Sequence, residues 1–210
     1  AKMLRSNKLN PDMITNYTKV VFKDRLEVLL GKNIKENNQN IEGQVQSSPI
    51  EITDEYVEIV KIANQYYDKV FVDLDYNLNQ NIREQIIEQS DLIILNSSQN
   101  YKSLKELKEN KENNQLLKSP RALLLIGRYD KYSKYNIKNI TRYLGEKNKV
   151  LTIPYNTLYF EACNEAGVPD LFLKLKKMYD LDDRNAIFME EIKRASENII
   201  YRLQELQTIM

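Results

Sequence analysis

The chain has 210 residues, and its 31 Lys and Arg against 30 Asp and Glu give a formal net charge of +1. This balance excludes a bulk polycation that coats nucleic acid, although it leaves room for a local basic patch. The absence of histidine excludes His-based acid–base catalysis, Ser-His-Asp triads and His-ligated zinc. A single cysteine and the lack of a long apolar run lead us to expect a cytoplasmic protein.

The first part of the chain gives both helix and strand signals. Asn10-Pro11-Asp12 predicts the start of a helix whose apolar face continues to Val21. Arg25 to Leu30 predicts a short strand, and residues 32–50, rich in Asn, Gln, Lys and Ser, predict a flexible loop. A helix is predicted from Thr53, and a buried strand follows over Lys69 to Asp75.

The second part repeats a pattern of apolar strand and amphipathic helix. The predicted strands are Leu92 to Leu95, Arg121 to Gly127 and Lys149 to Ile153. The predicted helices are Asn79 to Glu88, Tyr101 to Leu117, Asn136 to Leu144, Thr157 to Ala166, Pro169 to Tyr179 and a long one from about Asn185. Apolar runs separated by helices are typical of a parallel sheet covered on both faces. The sequence therefore predicts a doubly wound, mostly parallel α/β fold in one domain over residues 1–210, with a long C-terminal helix.

Ligands of such sheets bind at the carboxyl ends of the strands, so the residues after each strand are candidates for a site. Asp73, in KVFVDLD, has the form of a carboxylate that holds Mg²⁺, although turn chemistry explains many such aspartates. Arg128 and Tyr129 could stack on a nucleobase or cover the sheet edge. The Pro154 to Thr157 segment could border a planar base, or end a strand and cap a helix. None of the five glycines is spaced as in a phosphate-binding loop.

The order of four segments, KVFVDLD, SDLIIL, ALLLIGRYD and VLTIPYNTLYFEACNEAGVP, resembles the second half of ParA/MinD-type ATPases. The resemblance covers roughly Asp54 to Pro169, and it is strongest to the divergent group found beside plasmid and conjugative-element genes. It implies a P-loop NTPase-like sheet, ATP and Mg as ligands, and face-to-face homodimers. It also implies a role in positioning DNA or a cellular assembly, with a partition-type adaptor protein and non-specific DNA as partners.

The same resemblance assigns roles to single residues. Asp73 matches the Walker B carboxylate and would hold Mg, through water. The nucleotide-binding residues would be Gly127, Arg128, Asp130, Pro154, Tyr155 and Asn156, with Gly127 where the family often has Asn. The family's P-loop would lie before Ala1, so we expect an N-terminally shortened chain. A P-loop lysine supplies charge to the β- and γ-phosphates. We therefore expect ATP hydrolysis from the full-length protein and not from this chain alone.

The C-terminal region carries a basic set and an apolar stripe. The basic residues that could contact DNA are Lys174, Lys176, Lys177, Arg184, Lys193 and Arg194, although a solvated surface is the commoner meaning of such a set. Ile192, Ala195 and Ile199 predict a helix packed on its own domain, and nearby glutamates oppose a membrane-binding face. A second class of function stays open, which is a catalytically inactive module that keeps the fold for partner contacts.

Overall fold

The structure, a computed structural model, describes residues 10–30, 53–74, 78–176 and 183–209. The chain divides into two compact units, one ending at Gln89 and one beginning at Ser90. The loop predicted over residues 32–50 lies outside the described residues, and the single-domain organisation of residues 1–210 stays a prediction.

The first unit contains a small antiparallel hairpin and two helices. A 3₁₀ helix over Pro11–Tyr17 precedes strands β1 (Lys19–Phe22) and β2 (Leu26–Val28), which pair with each other. Helices α1 (Thr53–Tyr66) and α2 (Gln80–Gln89) follow. The prediction that a helix continues to Val21 is wrong, because the β-branched pair at 20 and 21 lies in β1, where such side chains fit well.

The strand predicted over Lys69 to Asp75 is not formed by residues 69–74, and Asp75 lies outside the described residues. Residues 69–74 pair with no strand in the described part of the chain. Phe71 is 76% exposed and Val72 is 38% exposed. An apolar run becomes a strand only where a neighbouring strand pairs with its backbone N–H and C=O groups. The apolar sequence alone therefore led to a strand prediction that the structure does not confirm for residues 69–74.

The second unit is built on a parallel sheet. Its strands are β3 (Ile93–Ser98), β4 (Ala122–Tyr129) and β5 (Val150–Pro154), in the order β3-β4-β5. Ile93 is opposite Ala122, and Leu124 is opposite Val150. All three strands therefore end at the same edge of the sheet.

Five α-helices of this unit lie in the described residues. They are α3 (Tyr101–Asn113), α4 (Ile137–Leu144), α5 (Thr157–Asn164), α6 (Val168–Leu175) and α7 (Arg184–Ile209), with a 3₁₀ helix over Gln115–Lys118. Asn100, Asn136 and Asn156 each cap the helix that follows by accepting a backbone N–H bond. Gly145, at φ 62°, ends α4 in the left-handed conformation that favours glycine.

Helices cover both faces of the sheet. On one face, Leu124 and Ile126 of β4 pack against Leu104 of α3 and Ile140 of α4. On the opposite face, alternate residues of β4 and β5 meet Ala195 of α7 in a second cluster. Neighbouring residues of a strand point to opposite faces, so one apolar run serves both layers. The predicted doubly wound α/β fold, with a parallel sheet and a long C-terminal helix, is confirmed.

An ion pair fastens the far end of α3 to the turn after α4. The Lys111 ammonium contacts the Glu146 carboxylate, and Lys111 is only 8% exposed. The second oxygen of Glu146 accepts bonds from the backbone N–H groups of Lys147 and Asn148. None of the described helices is both long enough and apolar enough to cross a membrane.

Candidate functional site

The carboxyl edge of the sheet is held together by one side chain, Gln99, which directly follows β3. Its Nε2 donates to the carbonyl oxygens of Asp130, at 2.8 Å, and Tyr135, at 2.9 Å. Its Oε1 accepts the backbone N–H of Asp130 at 2.7 Å. Gln99 therefore joins the loop after β3 to both ends of the loop after β4. The sequence prediction missed this role, and its only local signal is the position directly after a strand.

Strand β4 is irregular where it reaches this edge. Gly127 still pairs with Ser98 of β3, but the register with β5 shifts between Ile126 and Tyr129. Arg128, inside the shift, has φ 53°. A left-handed conformation costs a non-glycine residue about 1–2 kcal/mol. Such bulges and strained residues re-aim side chains and concentrate at functional sites.

The Arg128 side chain is exposed and lies over an aromatic ring of α5. Its guanidinium carbon is 6.0 Å from the centroid of the Phe160 ring. Phe160 is 45% exposed, and Tyr155, which follows β5, is 55% exposed. The edge thus presents one cation and two accessible rings, a combination that can contact a planar base. The sequence prediction did not include Phe160. Because Phe160 lies one helical turn after Asn156, the helix periodicity could have placed it near this edge.

Behind this edge, an aromatic cluster fixes the position of α5. The Tyr159 ring lies 6.1 Å from that of Phe172 in α6 and 5.4 Å from that of Phe188 in α7. Phe188 is almost fully buried, at 1% exposure. Burial, with a smaller contribution from Cys163, raises the pKa of Tyr159. The cluster anchors the helix that presents Phe160.

Gly127 and Pro154 contribute backbone to the edge. A Cβ placed on Gly127 would lie 3.7 Å from Asn96 Oδ1, an ordinary contact, so lack of space does not require glycine here. Pro154 is the last residue of β5 and is opposite Tyr129 across the bulge. Its missing N–H is tolerated at this point because the ladder ends there.

Asp130 and Asn156 are already used by the fold. Asp130 Oδ1 accepts the backbone N–H of Tyr132 at 2.9 Å, a local turn bond. Asn156 is 7% exposed, caps α5 through Tyr159 N–H, and donates to Asn185 Oδ1 at 2.8 Å. These two predicted site residues lie at the edge with Arg128 and Tyr155, but their polar atoms make structural bonds.

Asp73, the predicted Mg²⁺ ligand, belongs to the first unit. It is exposed and lies in the unpaired segment over residues 69–74. Among the described residues, no group of three or more His, Cys, Asp or Glu is arranged to hold a metal ion. The residues at the carboxyl edge of β4 and β5 therefore offer contacts that fit a nucleobase.

Of the basic residues proposed for DNA contact, Lys174 lies on α6, Lys176 directly follows that helix, and Arg184, Lys193 and Arg194 lie on α7. Lys177 lies outside the described residues. Lys174, Lys176 and Arg184 are exposed. Lys193 Nζ lies 3.9 Å from Glu197, and Arg194 contacts Glu191. Lys193 and Arg194 thus have glutamate partners one turn away on α7, which gives that part of the helix a mixed surface.

The fold is similar to that of a protein of known structure. A crystal structure of a ParA family ATPase from Chlorobium tepidum TLS superposes with a TM-score of 0.62 at 16% sequence identity. The match covers 81% of this chain and 65% of the other, so this chain spans less than two thirds of that relative's length. No protein-family model and no curated protein matches the sequence. The chain thus has a ParA-like α/β fold, in agreement with the fold that the resemblance in its sequence implies.

Proposed function

We propose that the protein is a nucleotide-switch protein of the ParA/MinD type, in which the carboxyl edge of β4 and β5 borders the adenine of ATP. One observation supports this proposal: Arg128, held in a left-handed conformation, lies beside the exposed Phe160 ring at the carboxyl edge of a ParA-like sheet. Parallel α/β sheets bind ligands at this edge.

The conformation of Arg128 supports a role in binding. Glycine would adopt φ 53° without strain. An arginine with this φ angle destabilises the fold relative to glycine, but it places a permanently charged guanidinium at the edge, over Phe160. Adenine has two faces and a polar rim, so a guanidinium and a phenyl ring can both contact it.

The other edge residues have smaller roles in this proposal. Tyr155 would cover the base from the β5 side, since its ring is exposed. Gly127 and Pro154 would contribute backbone, and Asp130 and Asn156 would hold the two loops through the bonds described above.

In this proposal the phosphate and magnesium contacts lie outside the carboxyl edge of β4 and β5. Asp73 would hold Mg²⁺ through water, and ATP hydrolysis would need a phosphate-binding lysine that the described edge does not offer. Magnesium supplies charge neutralisation at the phosphates when bound. The contribution of the residues at the carboxyl edge is to bind and orient the base.

The cellular role proposed here is partition or positioning of DNA or of a large assembly. A homodimer, a partition-type adaptor and non-specific DNA are the proposed partners. Lys174, Lys176 and Arg184 are the better candidates for phosphate contacts, because Lys193 and Arg194 have glutamate partners.

One observation favours a second candidate, a catalytically inactive module that uses the fold for interactions. The polar groups of Asp130 and Asn156, which the sequence predicted to bind the nucleotide, make bonds within the chain. An edge whose polar atoms are already satisfied needs no ligand to complete it.

Calorimetric titration of the full gene product with ATP and Mg²⁺ distinguishes the two candidates. We expect saturable binding, and we expect Arg128→Gly to weaken it about 2- to 30-fold through loss of the cation–π contact. Arg142→Gln, at an exposed position of α4, is the matched control and should bind as the unmodified protein does. No binding would reject the switch and leave the inactive module. Equal binding by Arg128→Gly would show that the base lies elsewhere.

A further inference from the structure

The loop between β4 and α4 alternates tyrosine and lysine. Residues 131–135, here called the Tyr–Lys loop, read Lys131, Tyr132, Ser133, Lys134 and Tyr135. Tyr132 is 86% exposed. Lys131 Nζ lies 5.1 Å from the Tyr132 ring centroid, and Lys134 Nζ lies 5.2 Å from that of Tyr135. The loop therefore offers accessible rings with ammonium groups beside them.

An open pocket of about 480 Å³ adjoins this loop. Leu104 and Ile140, both buried, form its base, and the rings of Tyr101, Tyr135 and Tyr143 line it. The Tyr101 and Tyr143 rings are 6.3 Å apart, and Tyr101 is 56% exposed. Apolar walls made of aromatic rings suit a flat, stackable group.

The charge around the loop is unbalanced. Within the described part of the chain, Lys131, Lys134 and Lys138 take part in no ion pair, whereas the lysines of neighbouring α3 at 102 and 105 have glutamate partners. The acidic neighbour Asp130 accepts a backbone bond from Tyr132. Cations without counter-charges favour an anionic ligand.

The loop is also held in place before any ligand arrives. Gln99 binds Asp130 and the carbonyl of Tyr135, as described above. Asn139 Nδ2 donates to the carbonyl of Lys134 at 2.8 Å, and Tyr129 Oη accepts the N–H of Ile137 at 3.2 Å. A platform with a fixed backbone loses little conformational entropy when it binds.

We infer that the Tyr–Lys loop and its pocket bind single-stranded nucleic acid without sequence preference. Proteins of that kind combine stacking rings with a track of positive charge, and every base offers a face to stack. Paired bases do not expose their faces, so a duplex could use only the lysines. This inference is independent of the nucleotide switch.

The test is fluorescence anisotropy of the full gene product with a labelled oligothymidylate of about ten nucleotides. We expect saturable binding whose logarithmic salt slope is about −2, from roughly three lysine–phosphate contacts. Tyr132→Ala should weaken binding about 5- to 150-fold, while Tyr132→Phe, which keeps the ring, should bind normally. Lys134→Gln should reduce the slope by about 0.7.

The controls separate this site from other surfaces. Tyr201→Ala removes another accessible ring, 62% exposed on α7, and should not change the affinity. Unlabelled single strand should displace the probe far better than duplex of the same sequence or ATP. Equal competition by duplex, unchanged affinity in Tyr132→Ala, or the absence of saturable binding at low salt would each overturn the inference.

Discussion

Gln99→Ala should loosen the carboxyl edge of the sheet, because this side chain makes three bonds to the loop after β4. Each such bond contributes about 0.5–1.5 kcal/mol net. Asp130 is exposed, and water can replace its two bonds after the substitution. The expected loss is therefore at the lower end, about 1.5–3 kcal/mol in total.

Amide hydrogen exchange at Asp130 is the direct assay for this loss. The backbone N–H of Asp130 donates to Gln99 Oε1 at 2.7 Å, so the exchange rate of this amide directly measures how stable that bond is. A loss of about 1.5 kcal/mol corresponds to roughly tenfold faster exchange. Gln207→Ala, an exposed substitution on α7, should leave this rate unchanged. Unchanged exchange in Gln99→Ala would refute the proposal that Gln99 holds the two loops together.

Three further predictions concern stability and titration. Glu146→Gln should destabilise the protein by about 3–5 kcal/mol in urea unfolding by leaving the buried Lys111 unpaired, and adding Lys111→Met should recover most of this; a loss below about 1 kcal/mol would contradict the burial of the pair. Ile126→Ala, at 0% exposure in the sheet core, should cost about 2–5 kcal/mol in the same assay, and a smaller loss would place β4 outside the core. Bonds from Thr18 and Tyr67 lower the pKa of Glu27, so its stabilising contribution is present at neutral pH and is lost as the pH falls through that lowered pKa. Thr18→Val should return the Glu27 pKa toward 4.5 in an NMR titration, and an unchanged value would contradict the bond.

The sheet of the second unit was predictable from the sequence because its signals are local. Each strand is an apolar run, and each of the asparagines at 100, 136 and 156 precedes a helix that it caps. Local signals also placed the ends of α4, where Gly145 closes the helix. The two faces of β4 follow from its continuous apolar run, which is typical of a strand buried on both sides.

The elements that were predicted wrongly depend on pairing with a neighbouring strand, which the sequence alone does not reveal. Lys69 to Asp75 reads as a strand, but residues 69–74 find no neighbouring strand among the described residues. Val20 and Val21 fit one face of a helix as well as a strand, and pairing with β2 decides the outcome.

The edge itself was predictable in position but not in detail. Arg128 was a candidate because it follows the most apolar run, yet its left-handed backbone has no signal of its own, since such positions usually carry glycine. Gln99 bonds to Asp130 and Tyr135, which follow it in the sequence by 31 and 36 positions, and no local sequence pattern predicts such bonds. Contacts between residues so far apart in the sequence form only when the sheet has assembled.

Hydrogen-exchange mass spectrometry of the full gene product, with and without ATP and Mg²⁺, tests the proposed nucleotide edge most directly. We predict that ATP slows exchange in residues 126–131 and 154–160, where Arg128, Tyr155 and Phe160 lie, and that Arg128→Gly diminishes this protection. Protection by ATP confined to other segments, with residues 126–131 and 154–160 unchanged, would contradict the assignment of this edge to the base.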